Sequence, residues 1–365
     1  MKLLLVLGTR PQIIKSAPIM KEALADPEVQ LEIVHTGQHY DYEMSRVFFD
    51  EMALPDPTLN LEIGSGSHGW QTGSMLIKIE EALSSLKPDL VMIPGDTNST
   101  LAGALAASKM HIKLAHIESG ARSYDMNMPE EVNRRLTDHC SDMLFTASEN
   151  CSNNLLKEAI PREKIFQVGD TMYDMLLQRL SSIEGSPALD RLDLEKDEYA
   201  VITTHRQENV DNEENLNGIV EAILELDSVE IVFPIHPRTE DRLKRKGSIE
   251  KLRESGHVLI VPPVGYHEML KLVMNSKMLL TDSGGMQKEA YWLKTRCITL
   301  RDMTEWVETV RVGANTLVGA HKDAILKEAN RILGAERDDD LFAENLFGDG
   351  NAAKKIIQHI KKLNF

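Results

Sequence analysis

The stretch Lys277-Met278-Leu279-Leu280-Thr281-Asp282-Ser283-Gly284-Gly285-Met286-Gln287-Lys288-Glu289-Ala290 decides how the chain is read. The run 277–280 has the apolar character of a short buried strand, and a helical pattern follows over 286–293. Between them lie a Thr-Asp-Ser turn and two glycines. A strand that passes through a glycine pair into a helix leaves backbone N–H groups uncovered at the helix's positive end, and Ser283 adds a hydroxyl donor. That is an anion cradle, although a tight turn with no ligand would use the same residues. Glu289 lies about one turn further in, where a carboxylate accepts from ribose hydroxyls.

Outward from this stretch the same rhythm covers the chain. Apolar runs at 3–7, 31–35, 90–94, 114–117 and 143–146 alternate with helical patterns at 13–24, 71–86, 99–109, 130–140 and 151–158. The second half repeats it, with strands at 199–203, 230–235, 258–261, 277–280 and 296–300 and helices at 215–226, 238–246, 267–274 and 286–293. Continuous apolar strands alternating with helices are the mark of parallel sheets covered on both faces. A chain of 365 residues accommodates two such domains. The rhythm breaks near 169–187, where 181–187 reads as a polar linker. The expected division is a Rossmann-like domain over 1–170, a second over 188–350, and a terminal helix in 351–365 that crosses back to the first. Two doubly wound domains would set their strand ends on either side of one interdomain cleft.

Composition narrows the function. Acidic residues number 57 against 41 basic, a formal charge of −16, which argues against a general nucleic-acid binder. Three cysteines, Cys140, Cys151 and Cys297, have neither CxxC nor Cys/His spacing, so no disulfide framework and no zinc site is expected. The apolar N-terminus is too short for a signal peptide and is followed at once by Arg10 and Lys15, so it reads as a first strand. No run approaches the roughly 18 apolar residues of a membrane span. The expectation is a cytoplasmic protein with no membrane partner.

Polar residues crowd the strand ends. Arg10 and Lys15 follow the first strand near a helix start, where the helix dipole disfavours cations; this points to an anionic ligand, although ordinary surface charges would read the same. Asp96, in Gly95-Asp96-Thr97-Asn98, has a plain alternative reading as a helix cap. Glu118 ends another strand, and Glu130 follows Pro129 at a good helix start, with Arg134 one turn on. In the second half His205 and His236 each end a strand. Three carboxylates beside cations and a glycine cradle imply a division of labour. The cations and N–H groups hold a diphosphate, and the carboxylates, their pKa values raised by crowding and burial, move protons on an attached group.

Together the segments GTRPQIIKSAP, GDTNSTLAG, HIESGARS, MPEEVNRRLTDH, THRQENVD, IHPRT, LTDSGGMQKEA and LRDMTEWVETV resemble the non-hydrolysing UDP-N-acetylglucosamine 2-epimerases, in family order over essentially the whole chain. The resemblance implies a GT-B fold and reversible inversion at C2 of a UDP-sugar, with neither cofactor nor metal. It places acid/base and substrate roles on Lys15, Asp96, Glu118, Glu130, Arg134 and His205. Phosphate and uridine contacts fall on Arg10, Ser283, Gly284, Gly285 and Glu289, and His236 joins the nucleotide side. The family expectation is a homodimer. The chain reads Gln12, Gly169-Asp170 and Thr304-Glu305-Trp306-Val307-Glu308 where many members read TRPE, GN and TERPE. These variants resemble the branch acting on UDP-2,3-diacetamido-2,3-dideoxy-glucuronate, and they tilt the expected sugar slightly toward it, with UDP-GlcNAc close behind. Gln38 and His236 match parts of a second, activating UDP-GlcNAc site of some members, while Tyr40 replaces its usual arginine. The rival readings are a GT-B glycosyltransferase, a hydrolysing 2-epimerase and a silent nucleotide-sugar sensor.

Overall fold

A computed structural model describes residues 1–38, 49–50 and 52–362. The chain forms two units, one of Met1–Leu177 with Leu346–Phe365, the other of Gln178–Asn345.

The first unit holds seven parallel strands: β1 (Lys2–Leu7), β2 (Gln30–His35), β3 (Leu59–Asn60), β4 (Leu90–Pro94), β5 (Lys113–Ser119), β6 (Met143–Thr146) and β7 (Ile165–Gln167). Their order across the sheet is β3-β2-β1-β4-β5-β6-β7. β1 shows why its sequence is apolar throughout. Leu3, Leu5 and Leu7 enter the core on one face, Leu4 and Val6 that on the other, because successive strand side chains alternate faces.

The second unit holds β8 (Tyr199–Thr203), β9 (Glu230–Pro234), β10 (Val258–Val261), β11 (Met278–Thr281), β12 (Arg296–Thr299) and β13 (Asn315–Leu317), in the order β10-β9-β8-β11-β12-β13. Each order reverses once, between β1 and β4 and between β8 and β11. Ligands of open parallel sheets sit outside the carboxyl ends of the strands at such a reversal.

Several local readings differ from the structure. The stretch read as a linker is mostly helix: Thr171–Glu184 runs without a break, leaving only 185–187 as turn. Leu176 and Ile183, seven apart and buried, share one face, while Ser181 and Ser182 ride outside, so apolar spacing outweighs the serines. The boundary between units falls inside this helix. The helix after β11 begins at Gly284, not Met286, which brings both glycines into its first turn. The C-terminal helix Ala352–Ile360 packs on the helix Arg10–Ala25 of the first unit, with Ile356 and Ile360 fully buried. Asp174 accepts from the first backbone N–H groups of that helix, Ala352 at 3.0 Å and Ala353 at 2.7 Å.

Candidate active site

In the first unit the turn after β1 opens the helix Arg10–Ala25, with Arg10 exposed at its first position. Lys15, the next turn along, forms an ion pair with Glu118 at the end of β5. The Glu118 backbone lies in the left-handed region, φ +66°, and the β5–β6 register shifts between Ile117 and Ser119. A residue with a Cβ resists that conformation by about 1–2 kcal/mol. The bulge re-aims one side chain out of the sheet's alternation, and that side chain is the paired carboxylate.

Asp96 is not the cap it resembled. Thr97 caps the helix Asn98–Lys109 through a reciprocal box with Thr100. The Asp96 carboxylate instead receives Arg134 Nε at 2.9 Å and Nη2 at 2.7 Å, and its carbonyl takes Asn133 Nδ2 at 2.9 Å. Arg134 lies on the helix Pro129–Cys140, one turn beyond Glu130. The adjacent glutamates divide their roles. Glu131 is fully buried and accepts from the Ser123 N–H at 2.9 Å, Ser123 Oγ at 3.1 Å, Arg134 Nη1 at 3.3 Å and Arg135 Nε at 3.0 Å. Desolvation pushes its carboxyl up, but the Ser123 and arginine contacts prevail and hold it below the usual range. Glu130 is half-buried, and among the described residues its carboxylate has no partner. Asp96 and Glu118 are each matched to a cation, Arg134 and Lys15.

Gln12 ties the turns after β1 and β4 together. Its carbonyl accepts from the Gly8 N–H at 2.8 Å and Thr9 Oγ1 at 3.3 Å, and its amide donates to the Pro94 carbonyl at 2.8 Å and Thr100 Oγ1 at 3.0 Å. An ionised glutamate could not make the two donations. Gln38 accepts from the Ser99 N–H at 3.1 Å and Ser99 Oγ at 2.6 Å; Tyr40 lies outside the described residues.

In the second unit Asp282, fully buried at the end of β11, organises the turn after β8. It accepts from Thr204 Oγ1 at 2.8 Å, the His205 N–H at 3.0 Å, the Arg206 N–H at 3.0 Å and Asn209 Nδ2 at 3.2 Å. His205 Nδ1 lies 3.3 Å from its other oxygen, and the ring is partly exposed. Desolvation lowers the His205 pKa; Asp282 opposes the shift, and Arg206 and His236 add to it. His236 caps the helix Pro237–Arg245 by accepting the Arg238 N–H at Nδ1, 3.2 Å, so its ring proton sits on Nε2. The two imidazole centroids are 6.1 Å apart.

Ser283 precedes the helix Gly284–Trp292 without capping it through its side chain. Gly285 is exposed, and a Cβ there would meet nothing nearer than Ser283 Oγ at 4.0 Å. A Cβ on Gly284 would lie 3.5 Å from Trp306 Nε1. Trp306 is buried, with Lys288 Nζ 3.8 Å from its ring centroid, so it underlies the glycine turn. Glu289 is buried and accepts from Tyr266 Oη at 2.9 Å. Among the described residues no group of three or more His, Cys, Asp or Glu side chains could hold a metal.

Residues 21–361 match the UDP-N-acetylglucosamine 2-epimerase family. The chain belongs to that family. It is 49% identical over 364 residues to a UDP-N-acetylglucosamine 2-epimerase of Methanocaldococcus jannaschii, covering 98% of each chain. It is 44% identical over 370 residues, the whole of both chains, to the UDP-2,3-diacetamido-2,3-dideoxy-D-glucuronate 2-epimerase of Pseudomonas aeruginosa. The crystal structure of a Methanocaldococcus jannaschii UDP-GlcNAc 2-epimerase with UDP-GlcNAc and UDP is similar at a TM-score of 0.89 and 48% identity, covering 99% of each chain. These relatives are named as UDP-sugar 2-epimerases, which are isomerases, and the two doubly wound units match their GT-B-like fold.

The sequence reading gave no role to Asp282 or Glu131, and noted Gln12 only as a departure from TRPE. Asp282 left one signal: an acidic residue immediately after a fully apolar strand has to find donors. Which donors it finds is set by the neighbouring strand.

Proposed function

We propose that the protein inverts C2 of a UDP-2-acetamido sugar without net hydrolysis, through elimination and re-addition of UDP. The observation that carries this reading is the pairing of Asp96 and Glu118, at the ends of β4 and β5, with the cations Arg134 and Lys15, Arg134 coming from the helix that also bears Glu130. The C2 proton of a hexosamine glycoside is not acidic, because C1 is an acetal. Departure of UDP places positive character on C1 and acidifies C2–H. Anti elimination then gives a 2-acetamidoglucal, and UDP returns as the opposite face of C2 is protonated. One carboxyl group acts as base and another as acid on opposite faces.

The second unit supplies the diphosphate's groups: Ser283, the N–H groups of Gly284 and Gly285, and the imidazoles of His205 and His236. Such donors act as fixed dipoles on the departing charge. Arg10 adds a cation, Lys15 and Arg134 hold the carboxylates, and Glu289 accepts from ribose. UDP-GlcNAc, giving UDP-ManNAc, is the first substrate proposed, since the relative 49% identical is named for it. The diacetamido-glucuronate is the second, on the 44% relative. Among the described residues no helix is long and apolar enough to cross a membrane. The reading carries with it a cytoplasmic homodimer making precursors of surface polysaccharides or other glycans.

The test is incubation of each UDP-sugar with the protein in deuterated water. Deuterium at C2 and the 2-epimer, with UDP still attached, are expected. Free UDP accumulating in step with unattached sugar would instead make the protein a hydrolysing epimerase, and absence of C2 deuterium with both substrates would end the reading.

A further inference from the structure

Behind the acid groups lies a buried network that the proposed chemistry does not use. His116, on β5, is fully inaccessible, and both ring nitrogens meet acceptors: Nδ1 faces Asp138 Oδ1 at 2.6 Å and Nε2 faces the Gly95 carbonyl at 2.7 Å. A carbonyl and a carboxylate have no proton to give, so the ring is held between two acceptors. Asp138, also fully buried, spends its other oxygen on the Gly120 N–H at 3.1 Å and Arg122 Nη2 at 2.7 Å. Arg122 closes the set on Glu158, Nε at 2.9 Å and Nη2 at 2.7 Å. Asp138 and Arg122 meet with both side chains fully buried, while Glu158 lies at the partly exposed edge of the set, 3.6 Å from His139 Nε2; a buried charge is tolerated when it is paired in this way.

The positions of these contacts give the network its meaning. Gly95 immediately precedes Asp96, and its own N–H is held by the Ile117 carbonyl at 3.0 Å. Gly120 follows Glu118 by two residues, at φ +78°, and a Cβ there would strike the Cys151 carbonyl. Asp138 belongs to the helix that carries Glu130 and Arg134. One imidazole–carboxylate pair therefore fastens all three segments that bear Asp96, Glu118 and Glu130.

We infer that His116 and Asp138 are positioning residues for the epimerisation, a buried charged clamp that sets the spacing of the three acid groups without meeting the sugar. The inference rests on the function proposed above. His116 keeps the strand's alternation and stays inside, while the bulge releases Glu118, two residues on, from it.

Two substitutions separate the arms of the clamp. In His116→Asn the amide nitrogen stands where Nδ1 was and keeps the Asp138 contact alone. In His116→Gln it stands where Nε2 was and keeps the Gly95 contact alone. For each, kcat and KM for the UDP-sugar are measured together with UDP affinity by calorimetry, and circular dichroism and thermal denaturation report whether the first unit is folded. Each variant is expected to lose about 10- to 100-fold in kcat, the scale on which misplacing a reacting group acts, with KM and UDP affinity within about threefold of the parent. A folded variant losing less than threefold in kcat overturns the inference, as does a loss in which KM and UDP affinity worsen in step with kcat. Ring 15N spectra of the unsubstituted protein need no variant to fold. One histidine whose ring N–H exchanges slowly with water, as befits a ring closed between two buried acceptors, is expected; its absence overturns the clamp. If the unsubstituted protein puts no deuterium on C2, the proposed function fails by itself, and the ring spectrum still decides the arrangement.

Discussion

At the strand ends of the first unit, Asp96 and Glu118 are met by the cationic side chains Arg134 and Lys15. At the strand ends of the second, Asp282 is met by backbone N–H groups, a hydroxyl and an amide, and the neighbouring helix start presents glycine N–H groups. The difference separates what must change from what must stay. A side-chain cation on a flexible stem can exchange one partner for another as a substrate arrives, whereas backbone dipoles fixed by a buried carboxylate do not reorganise when charge develops. The first arrangement suits proton transfer and the second suits holding a diphosphate.

The most severe way to break this contrast is to neutralise one acid group. Glu118→Gln should lower C2 deuterium exchange by about 10³-fold while UDP affinity stays within about threefold. Near-normal exchange in that variant would remove Glu118 from the acid/base set. Next comes the fixed side. Asp282→Asn leaves one acceptor oxygen for several donors and turns an NH₂ group toward the rest. A loss of about 1–3 kcal/mol in unfolding free energy is expected, with turnover down about 100-fold as His205 loses its anchor. Unchanged thermal stability would show that the turn after β8 holds without it. Glu289→Ala should weaken UDP binding about tenfold with little change in kcat, read by calorimetry and steady-state kinetics; a kcat effect larger than the binding effect would move Glu289 to the chemical side.

The apolar strands and their alternation with helices were legible because residues buried on both faces have to be apolar. Segments bearing Asp96, Glu118, His205 and Ser283 stood out for a related reason, since polar residues directly after such strands lie at the carboxyl edge. What could not be read is what distant segments do to each other. Lys15 finds Glu118 across 103 residues and Arg134 finds Asp96 across 38, and neither pairing leaves a local pattern. β3, β7 and β13 have two or three residues each, too few to display a period. Ser181-Ser182 read as linker because composition there speaks of solvent, while the buried Ile183 beside them speaks of helix.

An effect on stability alone, with none expected on turnover, sharpens the contrast from inside the first unit. Asp174, like Asp282, is served by backbone N–H groups. Burial nevertheless pushes its carboxyl up to about 6, against the two N–H bonds and with help from Asp170 and Asp349. A native value above the unfolded one means that the folded state binds the proton more tightly. The contribution of Asp174 to stability is thus complete below pH ~4, declines as pH rises to about 6 and is flat above, by at most about 3 kcal/mol. Denaturation midpoints of the parent minus those of Asp174→Asn should fall across that interval. Superimposable pH profiles would mean that Asp174 does not titrate there.

The C-terminal helix Ala352–Ile360 lends Ala352, Ala353, Ile356, Ile357 and Ile360 to the core built around β1 and β4. That core is complete only once residues 352–360 have been made, whereas Gln178–Asn345 is one uninterrupted length. The portion made second is therefore expected to close first, its partner waiting as an exposed apolar sheet for the final helix to seat. Proteolysis of chains stalled just beyond residue 345 should find Gln178–Asn345 resistant and the earlier residues still cleavable; the reverse order would show that the sheet closes without its last helix.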